Sequence, residues 1–321
     1  MTKEINASSL RRYNLIAGVY HLAQMLVVLA LANDFSLPIV ARYMSGPPGT
    51  TFAEAVVLFD TPVGIAVATF LGLSAFFHFL VASPQYFGRY SAGIAAQRNY
   101  FRWVEYSISS SVMIVLISQV VGVSDLAAII SIFGVNASMI LFGWLQEKYE
   151  TPGNGGWLPF IFGCIAGIVP WLSLVFYVFA IGGPGEAKAP AFVYGVVISI
   201  FGVNASMILF GWLQEKYETP GNGGWLPFIF GCITGIVPWV ALIFYVFSIG
   251  GISDTTAPVF VYGIVISLFV LFNTFAIVQY LQYKKIGKWS DYIRGEKTYI
   301  TLSLVAKSAL AWQIFGSTLA S

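Results

Sequence analysis

Charge is what this sequence lacks. Of its 321 residues only 9% are Asp, Glu, Lys or Arg, against about 25% in a soluble globular domain. With 58% hydrophobic residues, that scarcity excludes an ordinary water-soluble fold. The near-neutral balance of 16 basic and 14 acidic residues gives no case for binding a nucleic-acid backbone. Cysteine is nearly absent too. Cys164 and Cys232 occupy equivalent places in two copies of one segment, so they are one thiol duplicated, with neither a disulfide framework nor a metal spacing. The two histidines, His21 and His78, have no cysteine or carboxylate beside them in sequence. That makes a poor zinc site, and no metal is expected. No small-residue cleavage site follows the first apolar run, which therefore reads as a span and not as a cleavable signal.

What is present is a series of long apolar runs. A window of about 20 apolar residues can cross the hydrocarbon as a helix. Nine such windows occur, at 12–32, 62–82, 98–121, 126–146, 156–182, 190–214, 224–250, 257–281 and 297–319. The expected fold is an all-α membrane protein, one transmembrane domain over 1–321. Alternate loops then fall on opposite sides. Lys3, Arg11, Arg12, Arg89, Arg98, Arg102, Lys148, Lys216, Lys284, Lys285, Lys288, Arg294 and Lys297 share one side, and only Arg42 and Lys188 the other. The positive-inside rule puts the N-terminus in the cytoplasm and the C-terminus outside.

Residues 130–165 recur unchanged as 198–233, and a looser likeness continues through "GIVPW" and "FVYG". The tandem units are 130–197 and 198–265. The sixth window begins like the eighth and continues like the fourth, which fits a crossover at "VIS" (197–199). Setting one unit aside leaves seven spans. The architecture expected is a seven-helix bundle plus a duplicated helical hairpin. The copies run in the same direction, unlike the inverted repeats of transporters.

Two charges remain inside the spans. Lys307 lies in "SLVAKSALAW" and Glu105 in "FRWVEYSISSS". A lysine at mid-bilayer costs roughly 3 kcal/mol on insertion scales. Two readings fit. The residues form a structural ion pair, or the amine condenses with an aldehyde cofactor and the carboxylate balances the protonated imine. Ser303 lies one turn before Lys307, and Ser109 one turn after Glu105, each on the same helix face. Trp103, Trp171, Trp239 and Trp312 could wall a flat polyene, although tryptophans are also ordinary interface residues.

Four stretches carry a specific resemblance: "VEYSISSSVM", "SLVAKSALAWQ", "GVYHLAQ" and "SAFFHFL". Together with the cytoplasmic N-terminus, they resemble heliorhodopsins over essentially the whole chain once one repeat unit is set aside. The resemblance implies a rhodopsin-like bundle that binds all-trans retinal as a protonated Schiff base on Lys307, with Glu105 as counterion. The chain departs from the family in having nine predicted spans instead of seven. Residues 33–62, external and containing "GPPG", are expected to form a β-hairpin that helps a homodimer associate. The function implied is a photoreceptor with a slow photocycle that signals to an unidentified cytoplasmic partner, not an enzyme.

Pumping is disfavoured by the residues themselves. Ordinary microbial pumps place a proton donor about three turns after the counterion, where this chain has Leu116, and a second carboxylate where it has Ser303. His21, Ser74 and His78, with Gln24 more loosely, fall in the cytoplasmic half beside Glu105. Histidines titrate near neutrality and can hold a proton, or they can be plain inter-helix hydrogen-bonding residues. Short connections before the fourth and eighth windows favour the first fourth-helix copy and the second fifth-helix copy at the pocket. Met139 and Trp239 would then face the chromophore. Each Pro–Trp pair is expected to kink its helix. The basic loop 284–297 sets topology or touches anionic lipid or a partner. The competing functions are a secondary transporter using a Lys307–Glu105 pair and a light-driven or light-gated ion conductor on the same scaffold.

Overall fold

The structure, a computed structural model, describes residues 7–43, 53–96, 98–120, 122–151, 155–178, 191–246 and 285–290. It also describes 263, 266, 267, 270, 271, 274, 277, 278, 280, 281, 298 and 302. The chain is mostly helical. In order come α1 (Ala7–Leu31), β1 (Ser36–Ala41), β2 (Val56–Pro62), α2 (Val63–Ala82), α3 (Phe87–Ala95), α4 (Tyr100–Val120), α5 (Leu126–Tyr149), α6 (Leu158–Val178), α7 (Ala191–Tyr217) and α8 (Leu226–Val246). Helices suit these sequences because an apolar surround offers no partner for backbone N–H and C=O groups, so each segment must bond within itself. Every described residue between Gly263 and Leu281 is helical as well. The ninth predicted span (297–319) and the "GPPG" reversal fall almost wholly outside the described residues.

Contacts divide the chain into two compact units. One comprises Met1–Val40 and Val57–Ser206, the other Ala41–Val56 and Met207–Ser321. In the first, α1 packs on α2, α2 on α4, α4 on α5, and α5 on α6. Close approach is allowed by small residues, as in membrane helix pairs generally. Gly18 of α1 faces the Phe79 ring, where an added Cβ would stand 2.8 Å from a ring carbon. Gly167 of α6 admits Met139, whose sulfur would lie 2.5 Å from such a Cβ. The core centres on α5, where Ile132, Val135, Phe142 and Leu145 are fully buried. In the second unit, Trp225 stands just before α8, and its ring meets that of Tyr280 at 5.2 Å with planes tilted by 40°.

Among the described residues, four helices are long and apolar enough to cross a membrane: Leu10–Leu31, Val63–Ala82, Leu126–Tyr149 and Val196–Tyr217. Leu158–Ser173 and Leu226–Val240 are shorter apolar stretches. The third predicted span is helical as α4, but Arg102, Glu105 and a run of serines keep it out of that apolar set. Its polarity belongs to the site described below. Two elements were not foreseen at this length. Helix α3 fills the loop after α2, too short to span and buried only through Tyr90. Helix α5 continues through the polar Gln146–Tyr149 turn. The segment 33–62 does contain strands, and β1 and β2 pair in a two-stranded sheet. The β1 segment is also tied to the helices, because the Val40 N–H donates to the Ser124 carbonyl at 2.9 Å.

The repeated sequence folds the same way twice. The Gln146 side chain donates to the Gly156 carbonyl (2.8 Å) and accepts from the Phe160 N–H (3.1 Å). Gln214 does the same with Gly224 (2.8 Å) and Phe228 (3.0 Å). Phe142 meets Phe162 at 5.9 Å, as Phe210 meets Phe230 at 5.8 Å. The surroundings differ. The apolar window of α5 is 67% buried and that of α7 only 33%, because α5 lies between α4 and α6 while Val197, Phe201, Ile208 and Trp212 of α7 are exposed. Asn136 donates to Ser110 and Ser111 of α4, whereas Asn204 donates back to Ile200 of its own helix. Pro170 and Pro238 stand inside continuous helices.

Asp125 starts α5. Its carboxylate accepts from the Ala127 (3.0 Å) and Ala128 (3.3 Å) N–H groups, two donors that the helix itself leaves unpaired. Asp125→Ala should lower stability by about 1 kcal/mol and Asp125→Ser by less, as caps generally do. Thermal unfolding of the solubilised protein checks this, and equal melting of Asp125→Ala and the parent would contradict the capping role.

Candidate functional site

The site is built from helix faces. On α2, Ser74, Phe77, His78 and Val81 recur at the three- and four-residue steps that stack side chains along one face. On α4, Arg102, Glu105 and Tyr106 do likewise, and Asn14 and His21 are two turns apart on α1. These residues, with Tyr90, Asn99 and Phe101, line a cavity of about 300 Å³. Helix α3 contributes Tyr90, whose ring meets Phe101 at 6.3 Å. Arg11 ties this corner together by donating to the last carbonyl of α2, Ala82, at 2.8 Å.

Glu105 is 8% exposed. The Ser74 hydroxyl donates to its Oε1 at 2.7 Å. Among the described residues it makes no ion pair. Arg102, one turn away on the same helix, also lines the cavity, but its guanidinium is bonded to Glu147 of α5 at 3.0 Å. Glu147 accepts as well from the Asn99 N–H (2.8 Å) and the Trp103 indole N–H (2.5 Å). The cation nearest in sequence is therefore already compensated. In the same cavity His21 and His78 stack at 5.5 Å with planes 9° apart. His78 Nδ1 meets Asn14 Oδ1 at 2.9 Å. His21 Nδ1 is buried with no hydrogen-bond partner among the described residues.

The structure thus brings Glu105, Ser74, His21 and His78 to one cavity. Ser109 is buried one turn beyond Glu105 on α4. Gln24 lies on α1 outside the cavity lining. Trp103 is turned away from this group. Two residues from Glu105 on a helix is most of the way to the opposite face, and its ring packs over Gly143 of α5, 2.5 Å from where a Cβ would stand. Met139 is on α5 against Gly167, and Trp239 is a half-buried residue of α8 in the second unit. Lys307 and Ser303 lie outside the described residues. Asn14, Tyr90, Asn99 and Glu147 were missed. Asn14 is one helical face with His21, a seven-residue step that was legible. Tyr90 was not, because it depends on how α3 folds back. Among the described residues no group of three or more His, Cys, Asp or Glu side chains could hold a metal.

The heliorhodopsin family model matches residues 10–202 and again 196–319. This chain belongs to the heliorhodopsin family. The two matches meet at 196–202, on the "VIS" where the repeat units join, so the break in the family pattern coincides with the duplication. No curated protein matches the chain. Heliorhodopsins are retinal-binding, light-sensing membrane proteins, photoreceptors and not classical enzymes, and retinal is their chromophore. The described residues fit such a group. A buried carboxylate without a described cation is suited to offsetting a cationic linkage, and Phe77, Phe101 and Tyr106 give the same cavity apolar walls.

Glu147 and Arg102 should differ sharply on substitution. Glu147→Ala leaves the Trp103 and Asn99 donors unpaired and should cost about 2 kcal/mol or more. Arg102→Ala removes one arm of a pair whose arginine is 41% exposed, which should cost at most about 1 kcal/mol. Unfolding midpoints of the two variants test the order, and a larger loss in Arg102→Ala would contradict it.

Proposed function

We propose that this protein is a light sensor in which Lys307 holds all-trans retinal as a protonated Schiff base and Glu105 is the counterion. The observation that carries the reading is Glu105. It is an acid buried among apolar helices, given one hydroxyl by Ser74, with its arginine neighbour already engaged by Glu147. Lys307 is the other charge that the sequence places inside a span. An uncompensated buried carboxylate is costly, and pairing with a cation relieves that cost. Retinal, when bound, supplies visible absorption and a light-driven change of shape. Ser74 and Glu105 hold the charge in place on the resting side. His21 and His78 take up a proton that leaves the Glu105 region and later return it. Ser109, Ser303, Met139 and Trp239 shape the remainder of the pocket, and Gln24 extends the polar cluster.

The photocycle is slow and ends in a change of shape read by a cytoplasmic partner, not in net ion movement. Leu116 supports this, since it is a buried apolar side chain where a pump needs a proton donor. The chain crosses the cell membrane nine times as a single domain of two tandem units, 130–197 and 198–265, with the N-terminus inside and the C-terminus outside. The 13-to-2 distribution of basic residues supports that orientation. The β1–β2 sheet lies outside and serves homodimer contact, and 284–297 meets anionic lipid or the partner.

Purified protein incubated with all-trans retinal should become coloured, and Lys307→Ala should stay colourless. Glu105→Gln should move the absorption maximum to longer wavelength, because loss of the counter-charge narrows the excitation gap. An unchanged maximum would reject Glu105 as counterion. Illuminated vesicles should show no sustained pH change, and a sustained change or current would replace the sensor with a transporter.

A further inference from the structure

We infer that Asn14 is a positioning residue that presets His78 as a proton acceptor at Nε2. The inference rests on the proton-holding role given above to the histidine cluster, and deepens it by assigning the accepting atom. The Asn14 amide makes three contacts. Its Nδ2 donates to the Leu10 carbonyl at 3.0 Å and to the Tyr90 hydroxyl at 3.4 Å, and its Oδ1 meets His78 Nδ1 at 2.9 Å. A backbone carbonyl can only accept, so the atom facing Leu10 must be the NH₂ group. The atom facing His78 is then the amide oxygen, which also can only accept. His78 must therefore carry its hydrogen on Nδ1.

The other tautomer would set the Nδ1 lone pair against the Oδ1 lone pairs. Rotating the amide to avoid this would set Oδ1 against the Leu10 carbonyl instead. Either change exchanges a hydrogen bond for a repulsive contact inside a half-buried helix pair, where unpaired polar atoms are costly. Neutral His78 is thereby left with its lone pair on Nε2. A proton entering the cavity adds to that lone pair and gives the imidazolium, while Nδ1–H stays on Asn14, so no bond to Asn14 has to break. The titratable and charged groups sharing the cavity are His21, stacked on the ring, Tyr90, Glu105, Tyr106 and Arg102. Of these, Glu105 is bonded to Ser74 and Arg102 to Glu147. His21 Nδ1 has no partner among the described residues, so the tautomer of His78 is set from the Asn14 side. Which ring nitrogen is protonated is a property that a partner hydrogen bond imposes on histidines in general.

The chain has two histidines, so His21→Phe leaves His78 alone. The test is nitrogen NMR of the full chain labelled with ¹⁵N-histidine, in lipid nanodiscs without added retinal, at mildly alkaline pH. Protonated and unprotonated ring nitrogens are well separated in such spectra. The expected result is a neutral ring with its hydrogen on Nδ1. Asn14→Leu should move at least half of the population to the Nε2–H tautomer, and Asn14→Asp, which keeps an acceptor, should restore Nδ1–H. A parent ring protonated on Nε2, or an Asn14→Leu spectrum identical to the parent, would overturn the assignment. If Asn14→Leu does not fold, the parent and Asn14→Asp spectra decide alone. Because no chromophore is present, a chain that stays colourless with retinal yet shows Nδ1–H would sink the light-sensor reading and support this one.

Discussion

An acid buried between apolar helices constrains everything around it. Glu105 is accommodated because α2 brings Ser74 within hydrogen-bonding distance. The arginine one turn earlier does not neutralise it. Glu147, at the far end of α5, draws that guanidinium aside and accepts two further donors from α4 and the turn before it. The arrangement separates two carboxylates by role. Glu147 accepts from three donors and joins α4 to α5, whereas Glu105 accepts one hydroxyl, from Ser74, and makes no ion pair among the described residues. Removing a cation from reach of a buried acid is as much a part of the site as the acid itself.

The same logic gives the neighbouring polar residues a coherent arrangement. Asn14, Tyr90, His78 and His21 form a connected chain of contacts on the α1 and α2 side, adjoining but not bonded to the Ser74–Glu105 pair. Tyr86 just before α3, Tyr90 of α3 and Phe101 of α4 form an aromatic group at that end. A polar cluster lined by apolar helices and capped by rings keeps a local environment in which each hydrogen bond is strong and each unmade one is costly.

The duplication separates what sequence dictates from what neighbours dictate. Residues 130–149 and 198–217 are identical, and both fold into the same helix with the same glutamine bridge and the same phenylalanine pair. Yet Asn136 reaches across to α4 and Asn204 turns back on its own helix. Identical side chains thus serve as an interhelical tie in one copy and a local bond in the other. An exposed face such as that of α7 would be a liability in water, whereas hydrocarbon solvates it without penalty.

Much of the fold was legible because the membrane as solvent simplifies the code. Apolar windows gave the helices, and the strand-like pieces of 33–62 gave the paired β1 and β2. The mismatches have physical causes. Short α3 has no spanning length to announce it, and the polar end of α5 is helical because Gln146 bonds to the following loop. Trp103 was placed with the chromophore on its residue type alone, and its facing was set by the hole at Gly143. The sequence by itself determined the helical class, the repeat and the family, since each depends on composition and local order along the chain. Only the tertiary structure decided which acid pairs with Arg102 and which is met by Ser74, and which asparagine of the repeat reaches α4. It also decided which way an asparagine amide points. Those outcomes depend on distances between segments far apart in the chain, and no local pattern encodes them.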